Sequence, residues 1–407
     1  MRRMVSRAVT ALGLLAALAM LPMAGAQFAG AAEFQVNSFA EGDQERPAVA
    51  TLKGGGTVVV WQSRNQDSIG QSVYGQRYGA NGAKLGKEFR INTASRATRE
   101  RPAVAALEGG GFVVVWAVQA GDDKELRAQR FTATGKKVGA ELLATPRADK
   151  DAIQPAVAGL PTGGFVVVWT SFDDDFFGIF GQRFSAAGGK LGKSFLVNTY
   201  IEDTQQRPAV VALDHGGGFV VVWDSFWQDD GLTSGVYGQR YQNNGQPLGY
   251  VFRINTTTAS DQFEPRVAAL TCGDFVVVWS SNDNSGTGVL GQRYSPIGDT
   301  KGQEFRVNTM QTDAQQEPDI VRLDDGGFVV VWASAKQDRS GFGVYGQRYA
   351  DNNSPVGKEF KLNETTASNQ MFPAVAPGKG PKGFVAVWES TRQDGSGKGI
   401  FGRRFKQ

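Results

Sequence analysis

The sequence predicts an all-β protein, a seven-bladed β-propeller made of four-stranded antiparallel blades. Three markers recur in phase along the 407 residues. Tryptophans that end VVVW-type runs stand 53 to 56 residues apart, at Trp61, Trp116, Trp169, Trp223, Trp279, Trp332 and Trp388. A proline and the arginine of a GQRY-type segment keep the same step. Units of this size that repeat this often are typical of a propeller.

Each unit contains four short predicted strands. The first follows the repeat proline and is rich in small residues, as in PAVAAL at 102–107. The second is an apolar run such as FVVVW at 328–332, typical of a strand buried on both faces. The third and fourth are represented by GVYGQRY at 343–349 and EFRVN at 304–308. We expect the small-residue strand to be innermost, where blades converge and room is least.

The GQRY arginine sits within a predicted buried strand. It occurs at Arg77, Arg130, Arg183, Arg240, Arg293, Arg348 and Arg404. A guanidinium there needs hydrogen-bond partners, so we expect carbonyls or a carboxylate of a neighbouring blade.

The ends of the repeat region predict how the ring closes. EFQVN at 33–37 matches a fourth strand, whereas the last unit stops at a third strand, GIFGRRF at 399–405. We therefore expect the N-terminal strand to complete the last blade, which would remove exposed sheet edges. Residues 33–407 then form one domain.

Residues 1–32 are predicted to be a signal peptide and a short leader. Arg2, Arg3 and Arg7 precede an apolar run, and small-residue cleavage patterns end at Ala26 or Ala31. This is the layout of a secretory signal and predicts a periplasmic or secreted protein. No later stretch is long and apolar enough to predict membrane insertion.

Charge and cysteine content narrow the function classes. The chain has 43 basic and 40 acidic residues, and the three signal arginines account for the excess of +3. A neutral mature chain has no bulk attraction for nucleic acid. The single cysteine, Cys272, allows no internal disulfide and is expected to be a small buried residue.

One face of the predicted disk collects acidic and amide side chains. Turns between second and third strands carry aspartates, and the connections between units carry Gln44, Gln205, Gln262, Gln315 and Gln370. An exposed aromatic beside such groups suits stacking on a sugar or anchoring a protein. The predicted contact residues are Trp227, Phe226, Asp229, Asp230, Phe176 and Asp174.

The same acidic loops make calcium a candidate cofactor, because calcium takes oxygen ligands. The candidate ligands are Asp173, Asp175 and Asp283. The alternative is that these aspartates are ordinary turn formers.

Catalysis is not predicted. The one histidine, His215, lies in a predicted turn, so a zinc site or a histidine triad has little basis. No unique set of residues stands out at the predicted centre. The sequence therefore predicts an exported, non-enzymatic module that binds a carbohydrate or a protein. Two alternatives stay open: a hub for protein assembly, and an enzyme resembling glycoside hydrolases that uses paired carboxylates.

Segments such as FVAVWES at 384–390 and QDGSGKGIFGRRF at 393–405 resemble a repeat of large exported bacterial proteins. That repeat often occurs alongside haemolysin-type calcium-binding modules, and the likeness covers residues 33–407. The resemblance implies a propeller and export. This chain carries the repeat without the nonapeptide calcium arrays.

Overall fold

The computed structural model describes residues 30–67, 70–94, 96–146, 151–172, 176–214, 217–229, 231–283 and 286–406. Several predictions concern residues outside these ranges. They are the signal segment as far as residue 29, Asp173, Asp174, Asp175, His215 and Asp230.

Within these ranges, strands of four kinds alternate along the chain. The first kind follows each connection between repeats: β2 (Gln44–Thr51), β6 (Arg99–Ala106), β10 (Ile153–Gly159), β14 (Gln205–Ala212), β18 (Gln262–Ala269), β22 (Asp313–Arg322) and β26 (Gln370–Pro377). The second carries the tryptophan: β3 (Thr57–Arg64), β7 (Phe112–Ala120), β11 (Phe165–Phe172), β15 (Phe219–Phe226), β19 (Phe275–Asp283), β23 (Phe328–Ala335) and β27 (Phe384–Thr391). The third carries the GQRY arginine: β4 (Gln71–Tyr78), β8 (Asp123–Phe131), β12 (Phe177–Phe184), β16 (Ser234–Tyr241), β20 (Gly286–Tyr294), β24 (Phe342–Tyr349) and β28 (Lys398–Phe405). The fourth is the outer strand: β1 (Phe34–Gln35), β5 (Lys84–Arg90), β9 (Lys137–Leu143), β13 (Lys190–Leu196), β17 (Pro247–Arg253), β21 (Phe305–Arg306) and β25 (Pro355–Lys361).

These strands pair as antiparallel ladders in sequence order. Over the described ranges they form five sheets of four strands and one of eight. The eight-stranded sheet contains two such ladders, joined where β20 runs parallel to β22 at Gly286↔Asp313 and Thr287↔Ala314. The predicted all-β fold of four-stranded antiparallel sheets is confirmed, and its arrangement is propeller-like.

A short 3-10 helix, Thr271–Gly273, connects β18 to β19. Cys272 lies in it with a positive φ of 59° and is exposed. The expectation that Cys272 is buried was wrong, because the residue is part of this turn and not of a strand. No helix among the described residues is both long and apolar enough to cross a membrane.

The first and last strands belong to one sheet. β1 pairs antiparallel with β28 at Phe34↔Gly402 and Gln35↔Phe401. The Val36 amide then donates to the Ile400 carbonyl at 2.8 Å. Val36 and Ile400 also pack in one apolar cluster with Trp61 of β3. The N-terminal strand therefore links the last repeat to the first.

The core lies between neighbouring sheets. Each VVVW run is buried on both faces, and its tryptophan is at most 1% exposed. Val166 and Val168 of β11, for example, pack with Val221 and Trp223 of β15. Fully burying one such valine contributes about 1.5–3 kcal/mol, so the same contacts repeated around the molecule make a large core without disulfides.

The GQRY segment needs its glycine because an aromatic ring covers it. A Cβ at Gly181 would lie 2.6 Å from Cζ of Phe195, its pairing partner on β13. In the second repeat the equivalent pair is Ala128 and Leu142. The smaller leucine leaves room for the alanine methyl, which accounts for two of the departures in this divergent repeat.

The GQRY arginines have the partners expected from the sequence. Arg77 donates to the Ala133 carbonyl at 3.0 Å, and Arg240 donates to the Pro296 carbonyl at 2.7 Å. Arg293 likewise donates to the Asp351 carbonyl, and it also forms an ion pair with Asp274 at 2.7 Å. These bonds stabilise the outer part of the structure and leave these arginines away from the centre.

Candidate functional site

A cavity of about 600 Å³ lies where the first-kind strands of all repeats meet. Its wall consists largely of the prolines, alanines and valines of the PAVA segments. Small side chains on converging strands leave this space open. Any larger or charged side chain in the wall is therefore a local departure from the repeat.

Those departures concentrate at one position, the residue directly before the repeat proline. This residue lines the cavity in every repeat and has a φ between 51° and 57°. The residues, in chain order, are Arg46, Arg101, Gln154, Arg207, Glu264, Glu317 and Phe372. Left-handed backbone is rare for non-glycine residues, and each sits at a register shift of its strand. We call these residues the pre-proline ring.

Side chains of the preceding repeat hold this unusual backbone in place. The Arg101 amide donates to Oε1 of Gln62 at 2.9 Å, and the Arg207 amide donates to Oε1 of Gln154 at 2.9 Å. A bonded amide offsets part of the strain, which costs about 1–3 kcal/mol at such positions. Strained backbone held by its surroundings is common at functional sites.

Glu317 is the most perturbed carboxyl group of the ring. Burial, and after it the carboxylate of Glu264, raises the pKa of Glu317 to about 8. Its Oε2 accepts the Phe372 amide at 2.9 Å. No residue in the described ranges hydrogen-bonds to its Oε1. Glu317 is thus mainly protonated at neutral pH, with one oxygen available to a bound molecule.

A second carboxyl group, Asp319, lies two residues further along β22 and also lines the cavity. Burial raises its pKa to about 6, and the charge of Arg266 opposes that rise. Oδ2 of Asp319 accepts the Val375 amide at 2.8 Å. Five of the equivalent positions carry alanine, so Asp319 and Arg266 stand out within this second ring.

Glu264 lies beside Glu317 and bonds to its backbone. Its Oε2 accepts the Ser280 hydroxyl and the Glu317 amide, both at 3.3 Å. The carboxylate therefore fixes the backbone that presents Glu317, in addition to acting on its pKa.

Three positions of the ring, in the first, second and fourth repeats, carry arginine. Arg207 lies 3.7 Å from Asp224, a fully buried residue whose pKa burial raises to about 7. The guanidinium of Arg46 lies 3.5 Å from the ring centroid of Phe372. Arg101 lies between them in the ring, and its side chain forms no hydrogen bond or ion pair with any described residue.

The predicted loop site is only partly assembled. Trp227 and Phe176 are exposed, at 50% and 49%. Phe226 ends β15 and is half-buried. Trp227 itself forms a tight turn with a φ of 60°. These residues remain predicted contacts of a ligand.

The carboxylate of Asp229 is bonded to other side chains of the protein. Its carboxylate accepts the Tyr237 hydroxyl, accepts Nδ2 of Asn255 at 3.3 Å, and lies 3.6 Å from Arg253. Its side chain is 1% exposed, so it ties the loop to β17.

The glutamines predicted on the same face are buried instead. Gln44, Gln205, Gln262, Gln315 and Gln370 are at most 1% exposed. Oε1 of Gln205, for example, accepts Nδ2 of Asn198 at 2.9 Å. Gln44, Gln315 and Gln370 bind the equivalent asparagines in the same way, whereas Oε1 of Gln262 accepts Nε1 of Trp279 in its own repeat at 2.9 Å. The face is therefore less rich in amides than predicted.

Calcium remains a prediction. Asp283 is the last residue of β19, and the other two candidate ligands fall outside the described ranges. Across the described part of the chain, no group of three or more histidine, cysteine, aspartate or glutamate residues is arranged to hold a metal ion.

Sequence reasoning missed the pre-proline ring. The signal was present, since the proline is constant across repeats whereas the residue before it is Arg, Gln, Glu or Phe. The pattern was not recognised because a sequence does not reveal the bulge that turns this residue into the cavity.

No protein-family model matches the sequence, and no curated protein matches it. Solved structures do match in fold. A Dyadobacter fermentans protein of unknown function has a TM-score of 0.58 at 10% identity, over 92% of this chain and 97% of that one. An α-L-arabinanase of Penicillium chrysogenum complexed with arabinobiose has a TM-score of 0.52 at 14% identity, over 74% and 92%. A leech intramolecular trans-sialidase has a TM-score of 0.50 at 9% identity, over 92% and 70%.

These comparisons correct the functional prediction. At such low identity they show a shared fold alone. The arabinanase and the trans-sialidase are enzymes, and they overturn the predictions of a non-enzymatic module and of no catalysis. Those predictions depended on finding no special residues at the centre, where the cavity in fact holds perturbed carboxyl groups.

Proposed function

We propose that the chain is a carbohydrate-active enzyme that hydrolyses glycosidic bonds in the central cavity. The observation that carries this proposal is the pair Glu317 and Asp319, whose environments raise their pKa values to about 8 and about 6. Between those pH values one group is protonated and the other is ionised. Carboxyl groups separated in this way are the usual means of acid and base catalysis at one site.

The roles follow from the contacts. Glu317 donates a proton from Oε1 to the glycosidic oxygen, so the departing sugar leaves as a neutral alcohol. The Phe372 amide holds the other oxygen of Glu317 at 2.9 Å. The ionised Asp319 accepts the proton that the attacking water loses, and its negative charge stabilises the oxocarbenium-like transition state. Glu264 positions Glu317 through its amide.

The enzyme is proposed to be a seven-bladed propeller closed by its N-terminal strand. The pairing of Phe34 with Gly402 supports closure, as does a cavity lined by every repeat. When the first strand completes the last sheet, the wall of the cavity is continuous. A continuous wall holds Glu317 and Asp319 in fixed positions.

We also place the enzyme outside the cytoplasm. The basic and apolar pattern of residues 1–32 supports export. An extracellular or periplasmic position would bring the cavity to polymeric glycans.

The test is turnover of a glycan panel by the full chain, comprising arabino-oligosaccharides, sialyllactose and oligogalacturonates, with release of reducing ends as the readout. Glu317→Gln and Asp319→Asn should each lower kcat about 10²–10⁴-fold. Glu41→Gln, at an exposed glutamate, is the matched control. The kcat profile should be bell-shaped, with limbs near pH 6 from Asp319 and near pH 8 from Glu317.

Full activity in both folded cavity variants would reject these roles. Release of an unsaturated product, detected by its ultraviolet absorbance, would show that the enzyme is a lyase and not a hydrolase. Absence of turnover on the whole panel by a protein that binds none of these glycans would reject the function.

A further inference from the structure

We propose that Arg46, Arg101 and Arg207 form an anion-binding subsite of the cavity, which selects glycans that carry a carboxylate or a sulfate ester. The inference deepens the proposed function and rests on it. It names the substrate class, whereas Glu317 and Asp319 concern the bond that is cleaved.

The fold does not require arginine at these positions. Gln154 and Phe372 occupy the same ring with φ values of 52° and 51°, against 53° at Arg46. A backbone that accepts an amide, a ring or a carboxylate equally places no demand for positive charge. The arginines therefore reflect what the cavity holds.

Of the three arginines, only Arg207 has a carboxylate of the described residues within ion-pair distance. Arg101 has no hydrogen bond or ion pair to its side chain from the described residues. Arg207 is 3.7 Å from Asp224, and Arg46 stacks on Phe372. Burial, and after it the charge of Arg46, lowers the pKa of Arg101. Arg207 acts in the same direction, and the charges of Glu100 and Glu264 oppose them. Guanidinium groups that repel one another around a cavity gain stability from a bound anion.

The chemistry of the group favours oxoanions. A guanidinium presents a planar fork of N–H donors that matches two oxygens of a carboxylate or sulfate. Because Glu317 is held mainly neutral near pH 7, it does not repel an anionic substrate. The arginines come from the first, second and fourth repeats, and both carboxyl groups at the reacting bond come from the sixth. An anionic group on one part of a glycan can thus bind beside the reacting bond.

The experiment measures binding to the full chain with Glu317→Gln introduced, so that turnover cannot change the ligand. The probes are an oligogalacturonate, the same oligosaccharide with its carboxyl groups reduced, and a sulfated galactan oligosaccharide, each by titration calorimetry. We expect at least one anionic probe to bind about 10-fold or more tightly than the reduced one, since charge-assisted hydrogen bonds are the strong ones. The carboxylate and sulfate probes separate the two sources of the anion.

Substitution then assigns the effect. Arg101→Ala should remove the preference, and Arg101→Lys should keep part of it, because lysine keeps the charge but not the fork. Arg64→Ala, at an exposed arginine that ends β3, should leave it unchanged. Equal binding of anionic and reduced probes, or an unchanged preference in a folded Arg101→Ala protein, would overturn the subsite. Selective anion binding without turnover would leave the subsite standing and count against the proposed hydrolysis, whereas turnover confined to neutral glycans would do the reverse.

Discussion

At the scale of single residues, the pre-proline ring combines strain, burial and charge at one position of the repeat. Glu317 shows how such a position makes the stability of the fold depend on pH. A carboxyl group with a raised pKa binds its proton more tightly in the folded state than in the unfolded chain. Its favourable contribution is therefore complete below its ordinary pKa of 4.5 and is lost as the pH rises towards 8.

This gives a stability prediction for Glu317→Gln. Glutamine is neutral at every pH and retains an oxygen for the Phe372 amide. The free energy of unfolding of the native chain should fall between pH 4.5 and 8 by an amount on the order of a few kcal/mol, and the variant should show a smaller fall. Urea midpoints across that range measure it. A residual slope is expected from Asp319 and Asp224, whose pKa values are raised in the same direction. An identical slope in both proteins would contradict the burial of a protonated Glu317.

At the scale of the strand pair, the glycine of GQRY and the aromatic of the outer strand are one packing unit. Gly181→Ala should destabilise the fold by about 1–3 kcal/mol, because its Cβ would meet the ring of Phe195 at 2.6 Å. Adding Phe195→Leu recreates the Ala128 and Leu142 pair of the second repeat and should recover part of the loss. Thermal melts of the single and double variants measure the coupling.

The second single variant, Phe195→Leu, makes the test specific. Phe195→Leu alone should also destabilise, because it removes buried aromatic surface over a glycine. Strictly additive losses would mean that the second repeat tolerates its substitutions for another reason.

The strands that make the same core contacts in every repeat were predictable from the sequence. VVVW runs such as Phe328–Trp332 are buried on both faces in every repeat, so their hydrophobicity alone marks the strands. Elements that depend on a single bulge were not predictable. The register shift between Gln316 and Asp319 turns Glu317 and its neighbours into the cavity, and no hydrophobic pattern encodes it. The loop aspartates were misinterpreted for a related reason, since the sequence suggests that Asp229 is an exposed ligand, whereas its carboxylate lies 3.6 Å from Arg253 of the outer strand β17.

At the scale of the whole molecule, one short pairing joins the first strand to the last. β1 contributes Phe34 and Gln35 to the sheet of β28, and Asn37 accepts the Ile400 amide at 2.7 Å. The ring of Phe34 also lies 4.8 Å from the guanidinium of Arg404 and 5.6 Å from Tyr78. The strand thereby joins the last sheet to the side chains of the first.

Removal of residues 30–37 should therefore open the molecule. The edge of β28 would lose its partner and expose unpaired backbone groups, which favours association between chains. We expect a lower melting temperature, a shift to larger species in light scattering than the full chain forms, and loss of the activity proposed for Glu317, because the wall around it would no longer be continuous. Phe34→Ala, which keeps the backbone pairing but removes the ring, should give a smaller fall in melting temperature. Removal of residues 406 and 407, which follow β28, is the matched truncation and should change none of these. If the protein without residues 30–37 forms no larger species than the full chain and melts at the same temperature, the first strand does not close the sheet, and the cavity must be held together by the contacts between neighbouring repeats alone.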